Sequence, residues 1–238
     1  MTSFKNLKIK IFADGANIEE MIRLNSLNYT KGFTTNPSLM KQSGIKNYKK
    51  FALKILSKIK SKPISFEVFS DDINEMFNQA IKIADWGNNI FVKIPITNTK
   101  GESCLNIIKK LSHLGIKLNI TAIMTEGQIK NTCKALSPNV NSIISVFAGR
   151  IADTGIDPMK IISKSKKYVK NKKKHEILWA STREIFNIFQ ATECGCRIIT
   201  IPHELLNKIN LIGKNLNKYS IETVKQFYND AKKSGFNI

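Results

Sequence analysis

A lysine interrupts an otherwise apolar, strand-like run, Phe91-Val92-Lys93-Ile94-Pro95-Ile96-Thr97. Side chains alternate faces along a strand, so Lys93 projects either into an interior or out to solvent. Burial disfavours an ammonium and favours the neutral amine, which is a nucleophile suited to Schiff-base chemistry with a carbonyl. The plainer reading is a lysine that snorkels from an edge strand to water. Glu67 sharpens the choice, because it too sits inside an apolar run, Ile64-Ser65-Phe66-Glu67-Val68-Phe69. A carboxylate there is costly unless it is paired or hydrogen-bonded. An interior holding both Lys93 and Glu67 supplies the pairing and a route for protons. Asp14 closes a third such run, Lys8-Ile9-Lys10-Ile11-Phe12-Ala13, and a capping or turn role is its simpler explanation.

The elements that must carry these residues follow from the spacing. Strands are predicted at 8–13, 32–35, 64–69, 90–94, 117–121, 142–147, 176–180 and 197–201. Helical periodicity falls between them, at 18–24, 48–59, 73–85, 103–114, 126–136, from Met159, 183–192 and from Glu204, with a last amphipathic helix over 221–233. Strands alternating with helices argue for parallel pairing. Eight such units without a linker point to one α/β domain over 1–238, a (β/α)8 barrel with an extra C-terminal helix. An open doubly wound sheet is the competing architecture, but Asp14-Gly15-Ala16-Asn17 stands where a dinucleotide fold places its glycine-rich turn. In a barrel, chemistry gathers at the C-terminal strand ends. The polar residues falling there are Asp14, Asn36, Glu67, Lys93, Asn119, Thr121, Ser145, Ser181 and Arg183.

Composition narrows the remaining possibilities. No stretch is long and apolar enough to span a bilayer, and Met1 to Lys8 lacks the apolar core of a signal peptide, so a soluble cytoplasmic protein is expected. Cys104, Cys133, Cys194 and Cys196 lack histidines at ligand spacing, so reduced thiols and no metal are expected. The net charge of +20 raises the question of a polyanion partner. The lysines are spread over nearly every helix, however, and only Lys164 to Lys174 forms a cluster. That cluster suits a helix end, where cations complement the dipole. No nucleic-acid partner is therefore expected, although the overall field would draw in phosphorylated substrates.

Six ordered segments resemble one family. They are Phe12-Ala13-Asp14, Gly32-Phe33-Thr34-Thr35-Asn36-Pro37-Ser38, Val92-Lys93-Ile94-Pro95, Leu118-Asn119-Ile120-Thr121, Ser145-Val146-Phe147-Ala148-Gly149-Arg150-Ile151 and Ala180-Ser181-Thr182-Arg183. Together they resemble the transaldolases, class I aldolases of the compact kind that includes fructose-6-phosphate aldolases. The resemblance implies that Lys93 forms a Schiff base with a ketose phosphate and that Asp14 is the acid and base at the C4 hydroxyl. It implies that Glu67 and Thr121 hold the proton-shuttling water. It gives Asn36, Asn119 and Ser145 to the sugar hydroxyls, and Arg150, Ser181 and Arg183 to the phosphate. No cofactor is implied. Glu67 and Phe147 match transaldolases, where the aldolases carry glutamine and tyrosine, so transfer of a dihydroxyacetone unit is the activity implied, in the pentose phosphate pathway or in a dedicated sugar pathway. Release of free dihydroxyacetone is the alternative, and a noncatalytic basic barrel that binds polyanions is a second. Gly15, Val146 and Thr182 depart from the residues common at those positions. Compact members of the family form rings through the C-terminal helix, so the Ile221–Phe227–Ala231 stripe is expected either to meet a neighbouring copy or to pack on its own barrel.

Overall fold

The computed structural model describes residues 8–236. The reading of the extreme N-terminus, Met1 to Leu7, lies outside them. Eight parallel strands close into a barrel in chain order. They are β1 (Lys10–Asp14), β2 (Thr30–Thr34), β3 (Ile64–Glu67), β4 (Ile90–Pro95), β5 (Leu118–Ile123), β6 (Ser142–Val146), β7 (His175–Trp179) and β8 (Ile198–Pro202). The closing seam is β8 on β1, with Lys10 to Asp14 in unbroken register with Ile198 to Pro202. The helices are α1 (Ile18–Asn25), α2 (Pro37–Gln42), α3 (Tyr48–Lys58), α4 (Ile73–Ala84), α5 (Leu105–His113) and α6 (Glu126–Ala135), followed by α7 (Ala148–Ala152), α8 (Pro158–Val169), α9 (Asn187–Glu193), α10 (His203–Leu206) and α11 (Leu216–Ser234). The (β/α)8 architecture expected from the sequence is the one observed.

Two separate apolar clusters explain why the strands read as near-continuous hydrophobics. The larger lies between barrel and helices and includes Phe33, Ile64, Phe66, Val92, Ile94, Ile120, Ile144 and Trp179. The smaller fills the barrel itself, with Phe12, Ile143, Leu178, Ala180 and Ile198 buried and Phe91 and Phe147 packed against them. A strand buried on both faces has no polar side to show, as expected for a parallel sheet. Gly32 serves this inner plug: a Cβ there would lie 2.6 Å from the Phe12 ring.

Local capping chemistry sets most helix starts. Asp72 Oδ1 accepts the Glu75 amide at 2.8 Å to open α4, and Thr125 with Gln128 forms a reciprocal capping box at α6. Differences from the sequence reading have similar causes. Pro37 does end the second strand region, but it also starts α2, with Asn36 Oδ1 accepting the Leu39 amide. The helix expected from Arg183 begins only at Asn187, because Asn187 Oδ1 accepts the amides of Arg183 and Glu184 and holds them in a turn. The last helix starts five residues early, where Asn215 Oδ1 accepts the Lys218 amide. None of its residues is buried, and Ile221, Phe227 and Ala231 are all exposed, so α11 does not pack on its own barrel. Among the described residues no helix is long and apolar enough to cross a membrane. All four cysteines are free and buried, and burial pushes the Cys104 and Cys133 thiols up to about 11.

Two glycines give opposite expectations for added volume. A Cβ on Gly149, in α7, would sit 1.6 Å from the Ser181 carbonyl oxygen, so the segments that follow β6 and β7 leave no room for a side chain there. Gly149→Ala should destabilise by roughly 1–3 kcal/mol, the usual range for overpacking. Gly127→Ala, in the first turn of α6, meets nothing closer than 3.9 Å, and should stabilise by about 0.5 kcal/mol through helix propensity. Thermal denaturation of the two variants checks both signs.

Candidate active site

Strand register brings the charged pair together before any side chain is considered. Glu67 on β3 lies beside Lys93 on β4, and Lys93 lies beside Asn119 on β5. Lys93 is 7% exposed, with its Nζ 3.0 Å from Glu67 Oε2 and donating to the Thr35 carbonyl at 3.2 Å. The amine is thus held at the barrel mouth by one full and one partial negative charge, and the snorkelling geometry does not occur. Around the barrel the polar layer continues. Asn119 Nδ2 donates to Ser65 Oγ at 3.0 Å, and Ser145 Oγ donates to Asn119 Oδ1 at 2.6 Å.

Asp14 closes the layer from β1. Thr34 Oγ1 donates to Asp14 Oδ1 at 2.7 Å, and the Thr34 hydroxyl in turn hydrogen-bonds that of Thr200 on β8. Burial is the main influence on Asp14 and pushes its carboxyl above the ordinary range, and the negative charge of Glu67 adds to this. The positive charge of Lys93 and the Thr34 hydrogen bond act in the opposite sense. Asp14 therefore feels both members of the pair and is suited to exchange protons nearer neutrality than an exposed aspartate.

Thr121 sits next to an irregularity. The β5–β6 register shifts between Ile120 and Ile123, and Ala122 adopts a left-handed φ of 60°. Bulges of this kind re-aim side chains beside functional sites. The Thr121 hydroxyl is buried without a hydrogen-bond partner among the described residues, and so is available to a water or a substrate oxygen.

The outer groups are less tightly assembled. Asn36 spends its carbonyl oxygen on capping α2, which leaves its amide nitrogen for a ligand. Arg150 is exposed and lies over the Phe147 ring, 5.7 Å from guanidinium carbon to centroid. Arg183 is paired to Asp153, its Nε donating to Oδ1 at 3.2 Å and its Nη2 to Oδ2. Ser181 has a left-handed φ of 62° at the end of β7, a conformation rare outside glycine that marks strain at a strand end. The structure thus joins Asp14, Glu67, Lys93, Asn119 and Ser145 into one layer, with Thr121 beside it and Asn36, Phe147, Arg150, Ser181 and Arg183 on the rim.

Sequence reasoning missed Thr34, Ser65, Thr200 and Asp153. Thr200, a lone hydroxyl between Ile199 and Ile201 in the last strand, carried a signal of the same kind as Glu67. Asp153 carried none, because only the fold brings its loop to Arg183. The departure at Gly15 also has a physical reason. A Cβ there would lie 2.3 Å from the His203 ring, so the glycine leaves room for that imidazole. Burial holds His203 below its usual range, and its Nε2 has no partner among the described residues. No group of three or more His, Cys, Asp or Glu among the described residues could hold a metal ion.

Comparison with known proteins bears on the chain as a whole. The Transaldolase/Fructose-6-phosphate aldolase family model matches residues 11–238. A protein named "Probable transaldolase" from Nitrosopumilus maritimus is 32% identical over 94% of this chain and 96% of its own length. One of the same name from a Thermoanaerobacter strain is 33% identical over 97% of this chain and its own full length. A "Probable transaldolase 2" from Listeria monocytogenes is 36% identical over 84% of this chain and 88% of its own length. Among solved structures, 2,3-dimethylmalate lyase matches with a TM-score of 0.55 at 11% identity, covering 98% of this chain and 86% of that one. KGPDC from Streptococcus mutans matches with a TM-score of 0.52 at 11% identity, covering 82% and 88%. At such identities these two likenesses speak for the barrel fold alone. The chain belongs to the transaldolase/fructose-6-phosphate aldolase family of aldolase-type enzymes.

Proposed function

We propose that the protein is a transaldolase that moves a dihydroxyacetone unit from a ketose phosphate to an aldose phosphate through a Schiff base on Lys93. The observation that carries this reading is the Lys93 amine, buried at the strand ends between Glu67 Oε2 and the Thr35 carbonyl. Glu67 is placed to take a proton as the amine attacks the C2 carbonyl of the donor. It then returns a proton to the carbinolamine oxygen, with the free Thr121 hydroxyl holding the departing water. Asp14 removes the C4 hydroxyl proton, the C3–C4 bond breaks, and its electrons pass into the iminium to give an enamine. The released aldose leaves, a second one enters, and the same steps run backwards. Asn119 and Ser145 face the three-carbon unit, with Asn36 beside them. Arg150 and Arg183 are suited to a phosphate, since their planar forks match its oxygens. In this reading the phosphate competes with Asp153 for Arg183, and Ser181 assists from its strained turn.

Phe147 favours transfer over release. It lies against the inner apolar cluster beneath Arg150 and brings no hydroxyl to protonate the enamine, which therefore persists until an aldehyde arrives. The default exchange is sedoheptulose 7-phosphate with glyceraldehyde 3-phosphate, giving fructose 6-phosphate and erythrose 4-phosphate. A noncatalytic polyanion-binding barrel is the weaker reading, because binding alone gives no use to a desolvated ion pair.

Borohydride reduction in the presence of fructose 6-phosphate should leave a three-carbon adduct on Lys93, located by mass spectrometry. Lys93→Ala should abolish it, and an unmodified Lys93 in the wild type would sink the Schiff-base mechanism. Glu67→Gln keeps the shape of the site and should lower kcat by on the order of 10²–10⁴. With fructose 6-phosphate alone, little free dihydroxyacetone should accumulate, and rapid release without an acceptor would favour the aldolase activity instead.

Asp14 gives a pH test with two readouts. Its folded pKa is raised, so above that value the buried carboxylate costs stability, while below the unfolded value the cost is gone. Asp14→Asn should therefore raise Tm near pH 7, with the gain shrinking as pH falls through the folded value. Activity has the opposite sense: the wild-type rate should fall as pH drops through that same value. The asparagine variant should be nearly inactive throughout, and a neutral-pH Tm no higher than wild type would contradict the burial argument.

A further inference from the structure

The opposite end of the barrel holds a feature that the proposed chemistry does not use. A cavity of about 880 Å³ opens at the N-terminal mouth, within the usual range of about 300–1,000 Å³ for small-ligand sites. Residues at or just before the start of every strand line it. Six of its cations, Lys8, Lys31, Lys60, Lys173, Lys174 and Arg197, are exposed and form no ion pair among the described residues.

Two further lysines on the wall are already engaged. Lys10 donates to both oxygens of Glu176 at 2.9 Å, and Lys117 donates to the Asn88 carbonyl and lies 5.8 Å from the Phe91 centroid. Glu176 is the cavity's one acidic residue among the described residues, and Lys10 uses both its oxygens. The floor is apolar, made by Phe12 and Phe91 from the plug inside the barrel. A ring of like charges over a low-dielectric floor repels itself and focuses a positive potential into the opening. That mutual pressure is already felt behind the rim, where the Lys62 ammonium is pushed below its usual range by burial and then by Lys31. Lysines without an ion pair occur over the rest of the surface as well, and what is particular here is that several of them line one cavity. In the cluster noted in the sequence, Lys167 is paired to Glu126, Lys166 and Lys172 donate to carbonyls, and Lys173 and Lys174 turn into this mouth.

We propose that the N-terminal mouth of the barrel is a second binding site, for a compact anion bearing several phosphates. Many unpaired cations converge on a volume that fits a small molecule, and they require more negative charge than one phosphate carries. The apolar floor accepts the uncharged part of such a ligand, if it has one. Two sources share this chemistry, a bare inorganic polyphosphate and a nucleoside polyphosphate. The site lies at the far end of the barrel from Lys93 and shares no residue with the proposed chemistry.

Calorimetric titration of the full chain with inorganic tripolyphosphate and with ATP, at ~0.15 M salt where long-range surface attraction is screened, tests the site directly. Both should bind, and tighter binding of ATP would identify a nucleotide resting on Phe91 while equal binding would identify the polyphosphate alone. The quadruple variant Lys31→Gln, Lys60→Gln, Lys173→Gln, Lys174→Gln should bind at least about tenfold more weakly, as expected when several phosphate contacts are lost. A control with the same charge change on the helices, Lys109→Gln, Lys130→Gln, Lys134→Gln, Lys225→Gln, should stay within about twofold of wild type. Circular dichroism and unchanged borohydride trapping at Lys93 show that both variants fold. Three outcomes overturn the proposal: no binding of either anion to wild type, equal weakening in both quadruple variants, or binding lost only in Arg150→Gln with Arg183→Gln. So does a single-stranded oligonucleotide that binds but is not displaced by either polyphosphate. Because the readout is binding, an inactive enzyme that still binds leaves this site standing, and an active one that does not bind removes it.

Discussion

The ion pair between Lys93 and Glu67 is the constraint around which the barrel mouth is built. Removing two charges from water costs several kcal/mol each, and their attraction offsets this only with good geometry and further hydrogen bonds. The neighbouring register of β3 and β4 supplies the geometry, and the Thr35 carbonyl supplies an additional acceptor for the ammonium. Deleting one partner of such a pair costs about 3–5 kcal/mol, because the other is left buried alone. The strands therefore cannot slip: a shift of one residue would send Lys93 and Glu67 to opposite faces. The charges to which the proposed chemistry is assigned also fix the strand register.

From that pair the rest of the mouth follows as a sequence of satisfied neighbours. Asn119 turns one side of its amide to Ser65 and the other to Ser145, and Thr34 links Asp14 to Thr200. Below this layer the barrel is dry, plugged by Phe12, Phe91, Ile143 and Leu178. The interior thus changes along its axis from polar to apolar to cationic. The apolar plug keeps the two polar ends apart in space, so neither end shares a side chain with the other.

Much of this was legible in the sequence because burial on both strand faces erases polarity, and any polar residue left inside a strand then stands out. Lys93, Glu67, Asn119 and Ser145 were visible for that reason, and the alternation of strands with helices gave the barrel. What was hidden depended on short-range geometry that composition does not encode. α2 and α7 are six and five residues long, under two helical turns, too short to show a repeating apolar stripe. The delayed start of α9 depends on a single asparagine side chain folding back on two amides. The Arg183–Asp153 pair joins residues 30 positions apart, and only the closing of the sheet makes them neighbours. The fate of the Ile221–Phe227–Ala231 stripe was equally open in sequence, since periodicity shows that a face is apolar but not what it meets.

The contact between Gly149 and the Ser181 carbonyl reaches beyond packing. Each of the two rim arginines is carried by one of the segments that meet there, Arg150 one residue after Gly149 and Arg183 two residues after Ser181. In the proposed reaction, the grip on the anionic substrate is in effect a pair of tongs with a welded joint. Its opening is set by backbone against backbone, with no side chain between to be exchanged. A change of substrate size is then more readily accommodated by the reach and partners of the arginine side chains, as with Asp153, than by spreading the loops. Loop grafting at this corner would have to transplant both segments as one piece.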